Sequence, residues 1–294
     1  MTQDGATHSD DRVPGDAARA PRPVAMVTGA SAGIGAAFAA ALAARGYDLV
    51  LTARREDRLA ALAARLAAEH DAACLVLPAD LADPQAPQAL MRAVAEAGWR
   101  VDMLVNNAGY AVPGDYAESG WAAQRDFMAV MVTAVAELSH LCLPGMIARG
   151  RGHILNIASL AAFLPGAPGS TQYGAAKAWM VRFSEALAQE LRGSGVTASA
   201  ICPGFTYSEF HDITGSRETV SRLPRWLWMD AQAVARLGLD AALAGRTVVV
   251  TGRVNRVIAL AFRLMPAALA AVLVARASGR FRRRRPGSGP PPSA

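Results

Sequence analysis

A single doubly wound α/β domain with a seven-stranded parallel sheet, followed by an apolar and basic C-terminal extension, is the architecture this sequence predicts. Three observations carry the prediction. Short apolar runs alternate with helical stretches from residue 24 to residue 251. Apolar residues make up 52% of the 294, enough to bury a sizeable core and to exclude global disorder. The first apolar run ends in a glycine cluster that opens a helix, as parallel α/β units do where they meet a ligand.

Residues 1–22 carry Asp, Arg and Pro without an apolar run, so they read as a disordered leader and not as a secretory signal. Residues 24–28 then form a buried strand, and 36–45 a helix closed by Gly46. Strand 48–53 (DLVLTA) leads into an Ala/Leu/Arg helix over 56–69. Strand 73–77, helix 84–97 and strand 101–105 follow. A long helix spans 121–149, before strand 153–158, helix 173–192 and strand 196–202. Helix 231–244 and strand 247–251 complete a domain over 23–252. Residues 253–278 form an amphipathic extension, and the Arg/Pro-rich stretch 279–294 a disordered tail.

Three cysteines (Cys74, Cys142, Cys202), far apart and without a C-x-x-C pair, exclude a disulfide framework, argue against structural zinc and fit a cytoplasmic setting. Net charge is +6, yet six arginines and no acid lie from Arg276 onward; the remaining 24 basic residues balance 24 acidic ones. The basic character thus belongs to the tail, which is short and poor in interleaved aromatics, so nucleic acid is not an expected partner. Of the 30 basic residues only Lys177 is a lysine. In so Arg-rich a chain, a surviving Lys marks either chance or a place where Arg cannot serve.

The cluster TGASAGIG, Thr28 to Gly35, follows a strand and opens a helix. Its glycines let the backbone approach a pyrophosphate at a helix N-terminus. The second strand ends Thr52-Ala53-Arg54-Arg55, with Ala where an acid would bond a ribose 2′-OH. Two guanidiniums there favour a 2′-phosphate, hence NADP(H), with Arg54 as the expected contact and NAD(H) not excluded. Alternatively, both arginines simply begin a solvated helix. Tyr173 and Lys177 stand four apart, on one face of a helix, where an ammonium favours a phenolate.

TGASAGIG, then Asn106-Asn107-Ala108-Gly109, Ser159, Tyr173-Gly174-Ala175-Ala176-Lys177 and Pro203-Gly204, in that order, resemble the short-chain dehydrogenase/reductase family over residues 24–251. The resemblance implies a Rossmann-type fold and hydride transfer between a nicotinamide cofactor and a carbonyl or alcohol. It implies Tyr173 as acid/base, Lys177 lowering its pKa and holding the ribose, and Ser159 bonding the reacting oxygen. It places Gly29, Ser31, Gly33, Ile34 and Gly35 on the cofactor, with Asp80 near the adenine. Asn107, Gly109, Pro203, Gly204 and Ser208 complete the cofactor site, Ser208 standing where the family often has Thr. A homodimer or homotetramer is the expected assembly.

One position departs from the family. An Asn usually stands in the long helix before the serine and holds a relay water; here Met131 aligns with it, and a thioether holds water poorly. Either Thr133 or a backbone carbonyl takes over, or turnover is reduced; the alternative function is a non-catalytic NADP(H)-binding, membrane-associated scaffold. After the sixth strand come Phe205, Tyr207, Phe210, Trp226, Leu227, Trp228 and Met229, and Phe163-Leu164-Pro165 follow the serine. These suit a small lipophilic substrate, or they pack a lid onto the core. Residues 254–275 have the length of a membrane span, but Arg263 near the middle costs roughly 2.5–3.5 kcal/mol and Pro266 interrupts the helix. Peripheral membrane contact through 253–285 is the expectation, with packing on the domain or a sister subunit as the alternative.

Overall fold

The computed structural model describes residues 22–112, 114–169, 171–207 and 224–278. Its sheet has seven strands, all paired in parallel. They are β1 (Val24–Thr28), β2 (Asp48–Thr52), β3 (Cys74–Val76), β4 (Val101–Asn106), β5 (Gly152–Ile157), β6 (Val196–Cys202) and, at the far edge, Val248–Val250. Two short strands intervene in sequence, β7 (Phe205–Tyr207) and β8 (Trp228–Asp230), so the edge strand is β9. The order β3-β2-β1-β4-β5-β6-β9 is a Rossmann-type arrangement. The chain winds outward from β1 to β3, then crosses back to β4. A crevice for a ligand therefore opens beside β1 and β4, at their carboxyl ends.

Two layers of helices cover the sheet. On one face lie α1 (Gly33–Ala43), α2 (Glu56–His70) and α7 (Ala231–Leu243), whose Phe38, Leu42, Leu59, Leu66 and Leu239 share a core with Leu49 and Val105. Leu59, Leu62 and Leu66 recur at helical spacing, which is why α2 buries one stripe although its composition is mixed. On the other face lie α3 (Ala86–Glu96), α5 (Ala134–Ala148) and α6 (Thr171–Glu190), bringing Leu90, Leu138, Met146 and Leu187 against Met26 and Leu104. Buried amides and hydroxyls tie this layer together. Asn106 donates to Asn156 (2.8 Å) and Ser139 (3.2 Å), and Asn156 to Ser184 (2.9 Å), so β4, β5, α5 and α6 are locked near the ends that carry the site.

Three differences from the sequence reading stand out. The helix expected over 121–149 is α4 (Trp121–Met128), a single π turn (Ala129–Thr133) and then α5. By length and composition this run could cross a membrane, but α5 packs on α3, β4 and β5 as a core helix. The aromatic segment after β6 contributes the parallel pair β7–β8, which no periodicity announced. Arg22, assigned to the leader, is docked: its guanidinium donates to Gly46 O (2.7 Å) and to the carbonyls of His70 and Asp71 at the end of α2. Beyond β9 the extension forms α8 (Arg253–Leu264) and α9 (Ala267–Ser278), parted at Pro266 because proline ends the ladder.

Candidate active site

The carboxyl ends of β1, β4, β5 and β6 bring the predicted motifs to one edge of the sheet. Gly29 (φ +65°) and Gly33 (φ +55°) occupy the left-handed region that side chains avoid. A Cβ on Gly29 would stand 2.8 Å from Ala108 Cα, and one on Gly35 would collide with the Gly29 carbonyl. Asn107 secures this interlock. Its Nδ2 donates to Thr28 O (2.9 Å) and Gly29 O (3.2 Å), while Thr28 Oγ1 accepts from the Asn107 and Ala108 amides. Asn107 thus shapes the turn from behind. Ala32 at the N-cap offers no side-chain acceptor to α1, and its first turn holds no acid, so those amides suit an anion. Ile34, in that turn, packs its side chain on the core. These features fit a dinucleotide pyrophosphate.

The second-strand arginines occupy different places. Arg55, not Arg54, reaches the glycine turn, donating to Ser31 Oγ through Nε (3.3 Å) and Nη2 (3.1 Å). Arg54 is exposed and acts electrostatically on Tyr110, lowering a hydroxyl that burial, Asp126 and Asp80 push up. Asp80 is exposed and caps its own turn by accepting from Ala82 N (3.0 Å). Ser208, expected near the carboxamide, lies outside the described residues, as does Phe210.

Ser159 follows β5 and starts the 3-10 turn Leu160–Phe163, whose Ala161 amide donates to its hydroxyl (3.1 Å). Tyr173, near the start of α6, lies close enough to Ser159 for that side chain to pull its pKa down. Lys177, one turn later, is buried and donates to Ile157 O (2.6 Å). Burial brings its pKa down to about 7. Burial also pushes the Tyr173 hydroxyl up, and Ser159 pulls it back. Lys177, expected to lower the Tyr173 pKa, is not among the groups that shift it here. The lysine Nζ stands 5.7 Å over the tyrosine ring centroid and is directed at the carbonyl instead. The arrangement offers a substrate oxygen two convergent hydroxyls, with a titratable amine behind them.

Met131 is fully buried, with its sulfur against Gly109 at the foot of the crevice. Thr133 is exposed, which removes it as a substitute for the missing Asn. The lysine's polar partner is a backbone carbonyl, that of Ile157, and the Met180 sulfur stands 3.7 Å from Nζ. Two contributors escaped the sequence reading. Cys202, at the end of β6, lies beside Ser159 and Lys177, and burial pushes its thiol up to about 12. Asn255 of α8 donates to Thr251 O (2.8 Å) and presses its amide against Gly204, while the Pro203 carbonyl accepts from Leu160 N (2.7 Å). Asn255 is the one uncharged polar side chain within 254–275, the only sequence signal it offered.

A short chain dehydrogenase family model matches residues 23–218. The chain belongs to the short-chain dehydrogenase/reductase family. This short-chain dehydrogenase/reductase is 39% identical over 203 residues to a putative ketoacyl reductase of the granaticin polyketide synthase of Streptomyces violaceoruber, covering 68% of this chain and 72% of that one. It resembles a short-chain dehydrogenase from Sphingobium yanoikuyae solved with NADPH (31% identity, TM-score 0.73, covering 92% and 99% of the two chains). A second similar structure, from Burkholderia phymatum, was solved with NAD (29% identity, TM-score 0.73, covering 81% and 92%). The chain is accordingly an NAD(P)-binding oxidoreductase of CH–OH and carbonyl groups, and the non-catalytic reading draws no support.

Proposed function

We propose that this enzyme passes a hydride between NADP(H) and a lipophilic ketone or secondary alcohol, ketoacyl-like in character. The observation that carries the reading is the grouping of Ser159 and Tyr173 with buried Lys177, whose Nζ stands 5.7 Å from the Tyr173 ring centroid, at the strand ends next to the glycine cradle. When bound, the nicotinamide supplies or accepts the hydride. In the reductive direction Tyr173 gives its proton to the carbonyl oxygen as charge builds there, and Ser159 donates a second hydrogen bond. Lys177, titrating near neutrality, is suited to return a proton toward Tyr173, with the Ile157 carbonyl orienting its amine.

Preference for the 2′-phosphate rests on Ala53, which removes the repelling acid, and on Arg54 and Arg55, one at the crevice rim and one on Ser31. Apolar specificity rests on the wall beyond β6. Tyr207 stacks on Trp228 (4.8 Å, 21°), and Phe205 leans on the same indole at 5.6 Å. The relative named a ketoacyl reductase and the neighbour holding NADPH support both choices. The test is NADPH and NADH oxidation with apolar ketones and β-ketoacyl thioesters. NADPH-dependent turnover that falls at least roughly a hundredfold in Tyr173→Phe is expected, within the range of lost acid–base catalysis. Turnover untouched by that substitution would remove Tyr173 from the mechanism.

A further inference from the structure

The C-terminal helices turn their apolar side outward. In α8, Asn255, Ile258, Ala259 and Phe262 form the inner face, and the helix packs on the 3-10 turn that follows Ser159 and on β9. Val257, Leu260 and Leu264, spaced for one stripe, are 67%, 56% and 75% exposed. In the next helix, α9, Ala270 and Val274 are buried, while Leu269, Val272 and Leu273 are exposed. A solvent-facing apolar stripe on two consecutive helices is not how a surface helix is normally patterned. At 12 residues each, α8 and α9 extend about 18 Å, well short of a roughly 30 Å hydrocarbon core.

Charge selects what covers this face. After Asp240 the chain carries ten arginines and no acid through to residue 294. Arg256 and Arg263, seven apart, flank one side of the α8 stripe, which is the pattern of a helix lying in a bilayer interface. A second copy docked face to face through α8 about a two-fold axis would set Arg256 and Arg263 near their own images, with no acid on α8 or α9 to meet them. An anionic lipid surface satisfies the apolar stripe and the arginines together.

We infer that α8 and α9 form an in-plane docking surface for an anionic lipid bilayer. The surface adjoins the active site, since α8 touches the turn after Ser159 and Asn255 holds Gly204. The inference is independent of the catalytic reading, because its readout is binding. The full chain is floated with phosphatidylcholine vesicles, with and without phosphatidylglycerol. Roughly tenfold or greater preference for the anionic vesicles, weakening as salt is raised, is expected. Leu260→Asp with Leu264→Asp should lower that partitioning at least about tenfold while keeping the unfolding midpoint. Arg253→Gln with Arg263→Gln, which spares the apolar stripe, should reduce the anionic preference and leaves the inference testable if the first variant misfolds. No vesicle binding, equal binding to both vesicle types, or substitutions that split an oligomer without changing vesicle binding would each overturn it.

Discussion

Lys177 is a buried amine whose polar partner is a carbonyl oxygen, and this explains why arginine does not stand there. A guanidinium cannot shed its proton when buried, whereas an amine can lower its pKa and become neutral. Here it falls from the ordinary 10.5 to about 7 through burial. Between those values the unfolded chain binds the extra proton, so folding stability rises with pH through that window. Below about pH 7 both states are protonated and the burial penalty is fully present. Above about pH 9 the raised thiols of Cys142 and Cys202 pull the other way, since the unfolded state releases those protons first. Thermal unfolding of the cofactor-free protein should therefore show a midpoint that climbs between pH 7 and 9, by at most about 1.4 kcal/mol per pH unit for one proton. In Lys177→Met that climb should vanish; a variant with the same slope would assign it to other groups.

Elements hold the site at two joints. One is the interlock of Gly29 and Gly35 with Asn107; the other is Gly204 against Asn255 of α8. A Cβ at residue 204 would meet the Asn255 side chain, so Gly204→Ala should destabilise the fold and slow turnover. Asn255→Ala makes room at the cost of its bond to Thr251, so the two substitutions should couple, with the double variant losing less than the sum by about 1 kcal/mol or more. Strictly additive costs in denaturant titrations would mean that α8 does not brace the Pro203–Gly204 segment. This joint was invisible in the sequence because it pairs Gly204 with Asn255, far along the chain, through a tertiary contact. The strands of the main sheet were legible because each is a short, mostly apolar run set between helical stretches. β7 and β8 were not, being three residues each with aromatics that read equally as lid. The π turn left no trace either, since AVMVT fits an α-helix as well.

At the scale of the whole molecule, the cofactor crevice draws on three segments far apart in sequence. The glycine turn comes from β1, Asn107 from β4, and Arg55 from the end of β2, bonded back to Ser31. The sequence pointed to this crevice through its motifs and to Arg54 as the phosphate contact; that Arg55 turns toward Ser31 was not legible, because strand spacing alone does not say which side chain faces the glycines. A ligand that spans these segments binds only the native sheet, so its affinity appears as global stability. At about 100 times its dissociation constant it adds about 2.7 kcal/mol, roughly 5–11 °C for a domain of this size. NADPH should raise the unfolding midpoint more than NADH at equal concentration if the guanidiniums read the 2′-phosphate. Arg54→Ala and Arg55→Ala should each narrow the gap, and Ala53→Asp should reverse it by restoring an acid that repels the phosphate. Tyr173→Phe should keep the NADPH shift while losing turnover, which separates cofactor choice from chemistry. Equal shifts from the two cofactors in the native chain would show that the arginines serve the α2 surface alone, and the preference would then have to come from elsewhere in the crevice.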